Sequence, residues 1–161
     1  MRSGVGPVYC LLVALLLCAC SGGGSNLDPT APEQVGDLKK MEHPPVEKQS
    51  WLFVGSSDSW SAAYADVSGE ARLWVYAFEF PDADMAGTTY ETSRMRSETG
   101  TGDYREAREK RIGGVEGLRL VDDRGTYFQY RRGIWLIVLS GANDARFAEA
   151  VRAIPWAERG K

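Results

Sequence analysis

One histidine, three cysteines and scattered carboxylates are the side chains from which this 161-residue chain would have to build catalytic or metal chemistry. His43 stands between Glu42 and Pro44 in a proline-rich stretch, where nothing supplies the positioned pocket that a general base needs. Without a second histidine, and with Cys10, Cys18 and Cys20 all near the N-terminus, the usual zinc sites, a Ser-His-Asp triad and a Cys-His pair lack their parts. Asp122-Asp123 lies in a short turn ending at Gly125, whereas a calcium loop needs oxygen ligands at several spaced positions. Asp82 and Asp84 follow Pro81 and suit the positive end of a helix dipole. Asp58 reads as a turn residue beside Ser59, which has no nearby base. The run Gly113-Gly114-Val115-Glu116-Gly117 joins two strand-like segments, while phosphate cradles open a helix. It reads as a hairpin connection or bulge. No carboxylate pair stands out for glycan hydrolysis, which needs two acids at a defined separation. The chain is therefore expected not to be an enzyme and to need no cofactor and no metal.

Two other sets of side chains suit binding. Eight Lys and Arg residues fall between Arg105 and Arg132, and strand pairing would gather several on one face. Such a face would meet anionic headgroups or cell-wall carboxylates. The simpler reading is cross-strand ion pairing with Glu106, Glu109 and Glu116. The second set is aromatic. Trp74, Tyr76, Phe78 and Phe80 alternate along one strand face, as a core row or as the floor of a ligand cleft. If Phe128 and Tyr130 point inward, Tyr127, Gln129 and Arg131 point to solvent or to a partner. The candidate ligand or partner surface is thus Trp74, Tyr76, Tyr127, Arg131 and Arg132, with an arginine for an anionic group.

The N-terminus is more specific. Val8 to Ala19 is a twelve-residue apolar run preceded by Arg2 and followed by the Gly/Ser cluster Ser21 to Ser25. A spanning helix needs roughly 20 apolar residues, so the run reads as a secretory signal rather than a membrane span or a core helix. Its end, Leu17-Cys18-Ala19-Cys20, resembles the lipobox of bacterial lipoproteins. In that family a Leu precedes the modified Cys by three positions and a small residue stands just before it. The resemblance implies cleavage before Cys20, a diacylglyceryl group on its sulfur and an acyl chain such as palmitate on its new N-terminus. Cys18 at the second position departs from the commoner Ser or Ala. The competing reading, an ordinary signal peptide cleaved after Ala19, leaves a free thiol at the mature N-terminus. Two or more acyl chains give stable anchoring where one is marginal. The implied partner is a membrane, reached through lipid on Cys20 on the exported side. In a two-membrane cell, Ser21 in place of the Asp that retains lipoproteins at the inner membrane points to the outer membrane, facing the periplasm.

Removal of residues 1–19 takes Arg2 and leaves 18 basic against 22 acidic side chains, a net charge of −4. That charge, like export, opposes nucleic-acid binding. Cys20 is then the one remaining cysteine, so no disulfide within the domain is available and an apolar core must stabilise it. Residues 20–47, with three glycines at 22–24 and prolines at 29, 32, 44 and 45, read as a flexible tether with a reach of roughly 25–30 Å. A short helix over residues 33–40 also fits. Residues 48–157 are the folded domain, and 158–161 a tail.

Within the domain, strands are expected at 49–54, 71–80, 104–112, 115–121, 126–131 and 133–140. Residues 60–67 suit either a strand or a helical turn. Helices are expected from Asp82 to about Arg96 and after Asn143, where Phe147, Ala150, Val151 and Ile154 share one face. IWLIVL, residues 134–139, is apolar throughout, as a central strand covered on both faces is. The class is α+β: a single, mainly antiparallel sheet with two packed helices. FEFPDADMAGTTY followed by YFQYRRGIWLIVLSGANDARF resembles small, largely uncharacterised exported bacterial domains with a PsbP-like or ferredoxin-like layout. The resemblance covers residues 71–154, carries no catalytic motif and implies fold only. Together these readings give a lipid-anchored cell-envelope lipoprotein, a non-enzymatic binding or accessory module for an envelope protein partner. The alternative is a periplasmic small-ligand receptor using the aromatic cleft and arginines.

Overall fold

The computed structural model describes residues 26–27, 31–42, 55–100 and 104–154. Nine strands form one sheet: eight lie in the order β2-β3-β4-β5-β9-β8-β7-β6, where β2 is Gln34–Val35 and β3 Leu38–Lys40, and β1 (Asn26–Leu27) pairs parallel to β4. The long strands are β4 (Asp58–Ala65), β5 (Ala71–Glu79), β6 (Glu106–Ile112), β7 (Val115–Val121), β8 (Thr126–Arg132) and β9 (Trp135–Ser140). Neighbours along this order pair antiparallel. Helix α1 (Ala83–Glu98) links β5 to β6, and α2 (Asp144–Ala153) follows β9. The class is α+β, with one mainly antiparallel sheet and two helices.

The sheet is organised around β9. All six of its residues are buried, and it pairs with β5 on one side and β8 on the other. Alternation splits its side chains between two clusters. Trp135, Ile137 and Leu139 join Leu73, Val75, Ala77, Phe128 and Tyr130 beneath Phe147, Ala150 and Val151 of α2. Leu136 and Val138 join Tyr76, Phe78, Phe80 and Ala86 of α1. A continuous apolar run suits a strand that faces apolar neighbours on both sides.

The helices begin as their sequences dictate. The Asp82 carboxylate accepts the Met85 N–H at 2.7 Å, and the Asn143 side-chain oxygen accepts the Arg146 N–H at 3.1 Å. Each satisfies one of the N–H groups that a helix start leaves unpaired. The α2 stripe Phe147, Ala150, Val151 is fully buried, and Ile154 stands as the C-cap. Helix α1 carries no such stripe, burying only Ala86 and Ser97 completely. Ser93 Oγ donates to Gln129 Oε1 of β8 at 3.0 Å. Small side chains bring this helix close to the sheet, and Gln129 is fully buried there. Strand β7 makes a similar close approach at Gly117, where a Cβ would lie 2.5 Å from the Gln129 carbonyl oxygen and 2.7 Å from the Phe128 ring.

The structure corrects two expectations and decides one that the sequence left open. Part of residues 20–47 is not a tether: β1 (Asn26–Leu27), β2 (Gln34–Val35) and β3 (Leu38–Lys40) belong to the sheet. Val35 and Leu38 are buried in the cluster beneath α2. The helix over 33–40 is absent because Gly36, at φ +61°, turns the chain into a hairpin. The burial of two apolar side chains fixes that hairpin against α2, where Asp37 pairs with Arg146. Residues 60–67 resolve as a strand, since Asp58–Ala65 pairs along its length with β5. The strand expected at 49–54 lies outside the described residues.

Candidate functional site

Cys20 lies outside the described residues. No helix among the described residues is long and apolar enough to cross a membrane.

Trp74 and Tyr76 share one face of β5, their rings 6.4 Å apart and 7° from parallel. The register sets Trp74 opposite Ser140 of β9, and Ser140 opposite Tyr127 of β8. Tyr76, Val138 and Gln129 form the next row. The structure therefore brings Trp74, Tyr76 and Tyr127 to one face. That face is mostly interior: Tyr76 and Tyr127 are buried and Trp74 is partly so. Tyr127 O–H donates to Asp122 Oδ1 at 3.1 Å, and its ring meets Tyr104 edge-on at 6.5 Å. The expectation that Tyr127 and Gln129 point to solvent is corrected, because α1 and the β6–β7 side chains cover this side of β8. Only Arg131 of that trio is exposed.

Arg131 and Arg132 are adjacent and leave opposite faces of β8. Arg131 lies on the α1 side and donates to the Ala83 carbonyl at 3.2 Å. Arg132 lies on the side of Tyr130, whose phenol burial pushes well above its ordinary range while Arg132 pulls it slightly down. The two arginines do not converge on one ligand.

Most cations of the 105–132 segment pair with carboxylates. Arg105 meets Asp123, Arg108 meets Glu106 at 2.7 Å, and Arg124 meets Asp122 at 3.3 Å. Arg119 bridges Glu106 at 3.0 Å and Asp144 at 3.1 Å, and Lys110 also holds Asp144. Burial alone would raise the Asp144 pKa, but hydrogen bonds from Lys110 and Arg119 outweigh it and hold the carboxyl below its usual range. Asp122 follows the same balance: burial raises it, and N–H groups of Arg124 and Gly125 with the Tyr127 hydroxyl bring it down further. This network ties the start of α2 to β6 and β7.

Two open clefts flank the sheet. One of about 720 Å³ lies at the start of α2, and its charged walls are already paired, Arg72 with Asp66 and Arg146 with Asp37. The other, about 510 Å³, lies between α1 and β6–β8 and is walled by Tyr90, Glu109, Arg111, Glu116 and Arg131. The sequence marks Arg111 and Arg131 as members of the basic run and Glu109 and Glu116 as ion-pair partners for it, but of these only Arg131 as a ligand contact; Tyr90 it does not mark. Arg111 and Glu116 are equidistant from the Gly113-Gly114 turn, which makes them direct cross-strand neighbours. No group of three metal-ligating side chains occurs among the described residues. No protein-family model matches the chain, and no curated protein does.

Proposed function

We propose that this chain is a lipid-anchored cell-envelope lipoprotein whose domain acts as a non-enzymatic binding or accessory module. The observation that carries the reading is Leu17-Cys18-Ala19-Cys20 at the end of a short apolar run. The implied anchor is lipid on Cys20, on the exported side of the membrane. Where two membranes exist, Ser21 favours the outer one, with the domain facing the periplasm. The partner is an envelope protein, since tethering raises effective concentration and makes weak contacts sufficient. Any small-ligand role needs a place other than the aromatic row, because Tyr76 and Tyr127 are buried.

The position of β1 sharpens the geometry of anchoring. Cys20 precedes Asn26, the first residue of β1, by six positions. Six residues fully extended span at most about 20 Å. An anchor at Cys20 therefore holds the Asp58 end of β4 close to the bilayer, because β1 runs parallel to β4 and Asn26 stands opposite Trp60.

Cell fractionation tests the reading. The wild-type chain is expected in the membrane fraction, released by detergent but not by salt or carbonate. Cys20→Ser is expected to stay as an uncleaved precursor held only by its signal sequence, or to be released if cleaved elsewhere, and in neither case to take up labelled palmitate. Equal palmitate incorporation by both chains would remove Cys20 as the anchor.

A further inference from the structure

The cations of residues 105–132 divide into two groups. Arg105, Arg108, Lys110, Arg119 and Arg124 each have a carboxylate partner. Arg111, Arg131 and Arg132 have none within 4 Å among the described residues; Arg132 leaves the opposite face of β8, while Arg111 and Arg131 wall the cleft of about 510 Å³ beneath α1. Each is held instead by a backbone carbonyl: Arg111 Nε donates to Gly114 at 3.3 Å, and Arg131 donates through one terminal nitrogen to Ala83 at 3.2 Å. A guanidinium has five N–H donors in a fixed fork, so both are positioned while most of the fork stays open. Gly87 of α1 lies beside the Arg131 guanidinium, where a Cβ would stand in ordinary van der Waals contact at 3.7 Å.

Glu116 completes the pattern. It stands directly across from Arg111 in the β6–β7 register. Leu118 pairs with Gln129, so two residues further along each strand Glu116 and Arg131 share the same face. Yet Glu116 forms no ion pair among the described residues, although it too walls the cleft. Glu109, beside it, has only a 3.8 Å approach from Arg94, which is engaged by Glu91 at 2.7 Å. Tyr90 closes the side. Burial, then the nearby Glu109, raises its phenol pKa.

We propose that this cleft binds a small zwitterion, an amino acid or short peptide with a free carboxylate and a free ammonium. The carboxylate lies between the open forks of Arg111 and Arg131, and the ammonium against Glu116 and Glu109. Glu91 and Lys110 also line the cleft but are paired with Arg94 and Asp144; the two open cations beside Glu116 disfavour a ligand of a single charge, because either sign meets a like charge. The size suits a ligand of one to a few residues. The site is built from residues 87–131 and holds whether or not Cys20 carries lipid.

The test is a titration of the full-length chain in detergent with the dipeptide Ala-Ala, followed by amide chemical shifts. Saturable shifts are expected around Gly87, Tyr90, Arg111, Glu116 and Arg131, with affinity of about millimolar order. N-acetyl-Ala-Ala lacks the ammonium and Ala-Ala-amide lacks the carboxylate. Each is expected to bind about tenfold more weakly, the scale of one lost charge-assisted contact. Arg131→Gln and Glu116→Gln are each expected to weaken Ala-Ala by a similar factor. Arg131→Gln should also shrink the difference between Ala-Ala and its amide, with Arg111 holding what remains. Both side chains are exposed, so the variants are expected to keep the wild-type spectrum elsewhere, and Arg108→Gln should bind as wild type. Absence of saturation to about 20 mM would overturn the proposal, given a millimolar site. So would equal binding of the blocked dipeptides, or of inorganic phosphate alone.

Discussion

Asp144 sits where the start of α2 meets β6 and β7, accepting from Lys110 and Arg119. Asp122 is more enclosed, its carboxylate taking two backbone N–H groups and the Tyr127 hydroxyl. Both carboxyls have folded pKa values lowered from 3.8. A depressed folded pKa means that the unfolded chain takes up protons first as pH falls. The stabilisation is complete above the unfolded value and disappears as pH drops through the folded one. Stability should therefore decline below about pH 4, near the ordinary carboxylate range. Asp144→Asn should flatten that decline in urea unfolding measured across pH; an unchanged slope would mean that the ion pairs contribute nothing. Asp122→Ala leaves a buried hydroxyl and two N–H groups without their acceptor, and is expected to cost roughly 1–3 kcal/mol. At this scale the two N-caps and the Asp122 turn are legible, because Asp and Asn act on backbone two or three residues away. The burial of Gln129 is not legible, because the helix that covers it shows no apolar stripe, and that of Tyr127 depends on Tyr104, Ala107, Leu118 and Leu120 meeting it across strands.

Among the elements, β9 and α2 announce themselves through continuous and 3.6-residue apolar patterns. Phe147→Ala empties a fully buried site facing Phe128, its ring centre 6.3 Å away, and should cost about 3–5 kcal/mol. Helix α1 is legible in position but not in how it packs. It rests on Ala86, Gly87, Ser93 and Ser97, and Ala86 is completely buried. Ala86→Leu should push the helix from the sheet and lower stability by about 1–3 kcal/mol. A neutral result in thermal unfolding would mean that α1 is loosely seated. Gly117→Ala meets the Phe128 ring and the Gln129 carbonyl, so it too should destabilise, by a similar amount. The β2–β3 hairpin escapes sequence reading for a different reason. Its strands are two and three residues long, too short for any period to show. Val35 and Leu38 reveal their role only when α2 is placed beside them.

For the molecule as a whole, the apolar clusters on both sides of one sheet are the visible source of cohesion. Most charges of the 105–132 segment are spent on internal ion pairs, which is why the segment is not a basic face despite its sequence. Of the charges left without an ion pair among the described residues, Arg111, Glu116 and Arg131 gather at the cleft beneath α1, and Arg132 lies on the other face. The proposed anchoring rests on four residues, Leu17-Cys18-Ala19-Cys20, at the end of the apolar run. If Cys20 carries lipid as proposed, the six positions from Cys20 to β1 would keep the Asp58 end of β4 near the bilayer. The most direct measurement is intact-mass analysis of the mature N-terminal fragment from cells. A fragment beginning at Cys20 and carrying a diacylglyceryl group is the expected result. A fragment beginning at Cys20 with an unmodified thiol, or at another residue, would contradict the lipoprotein account.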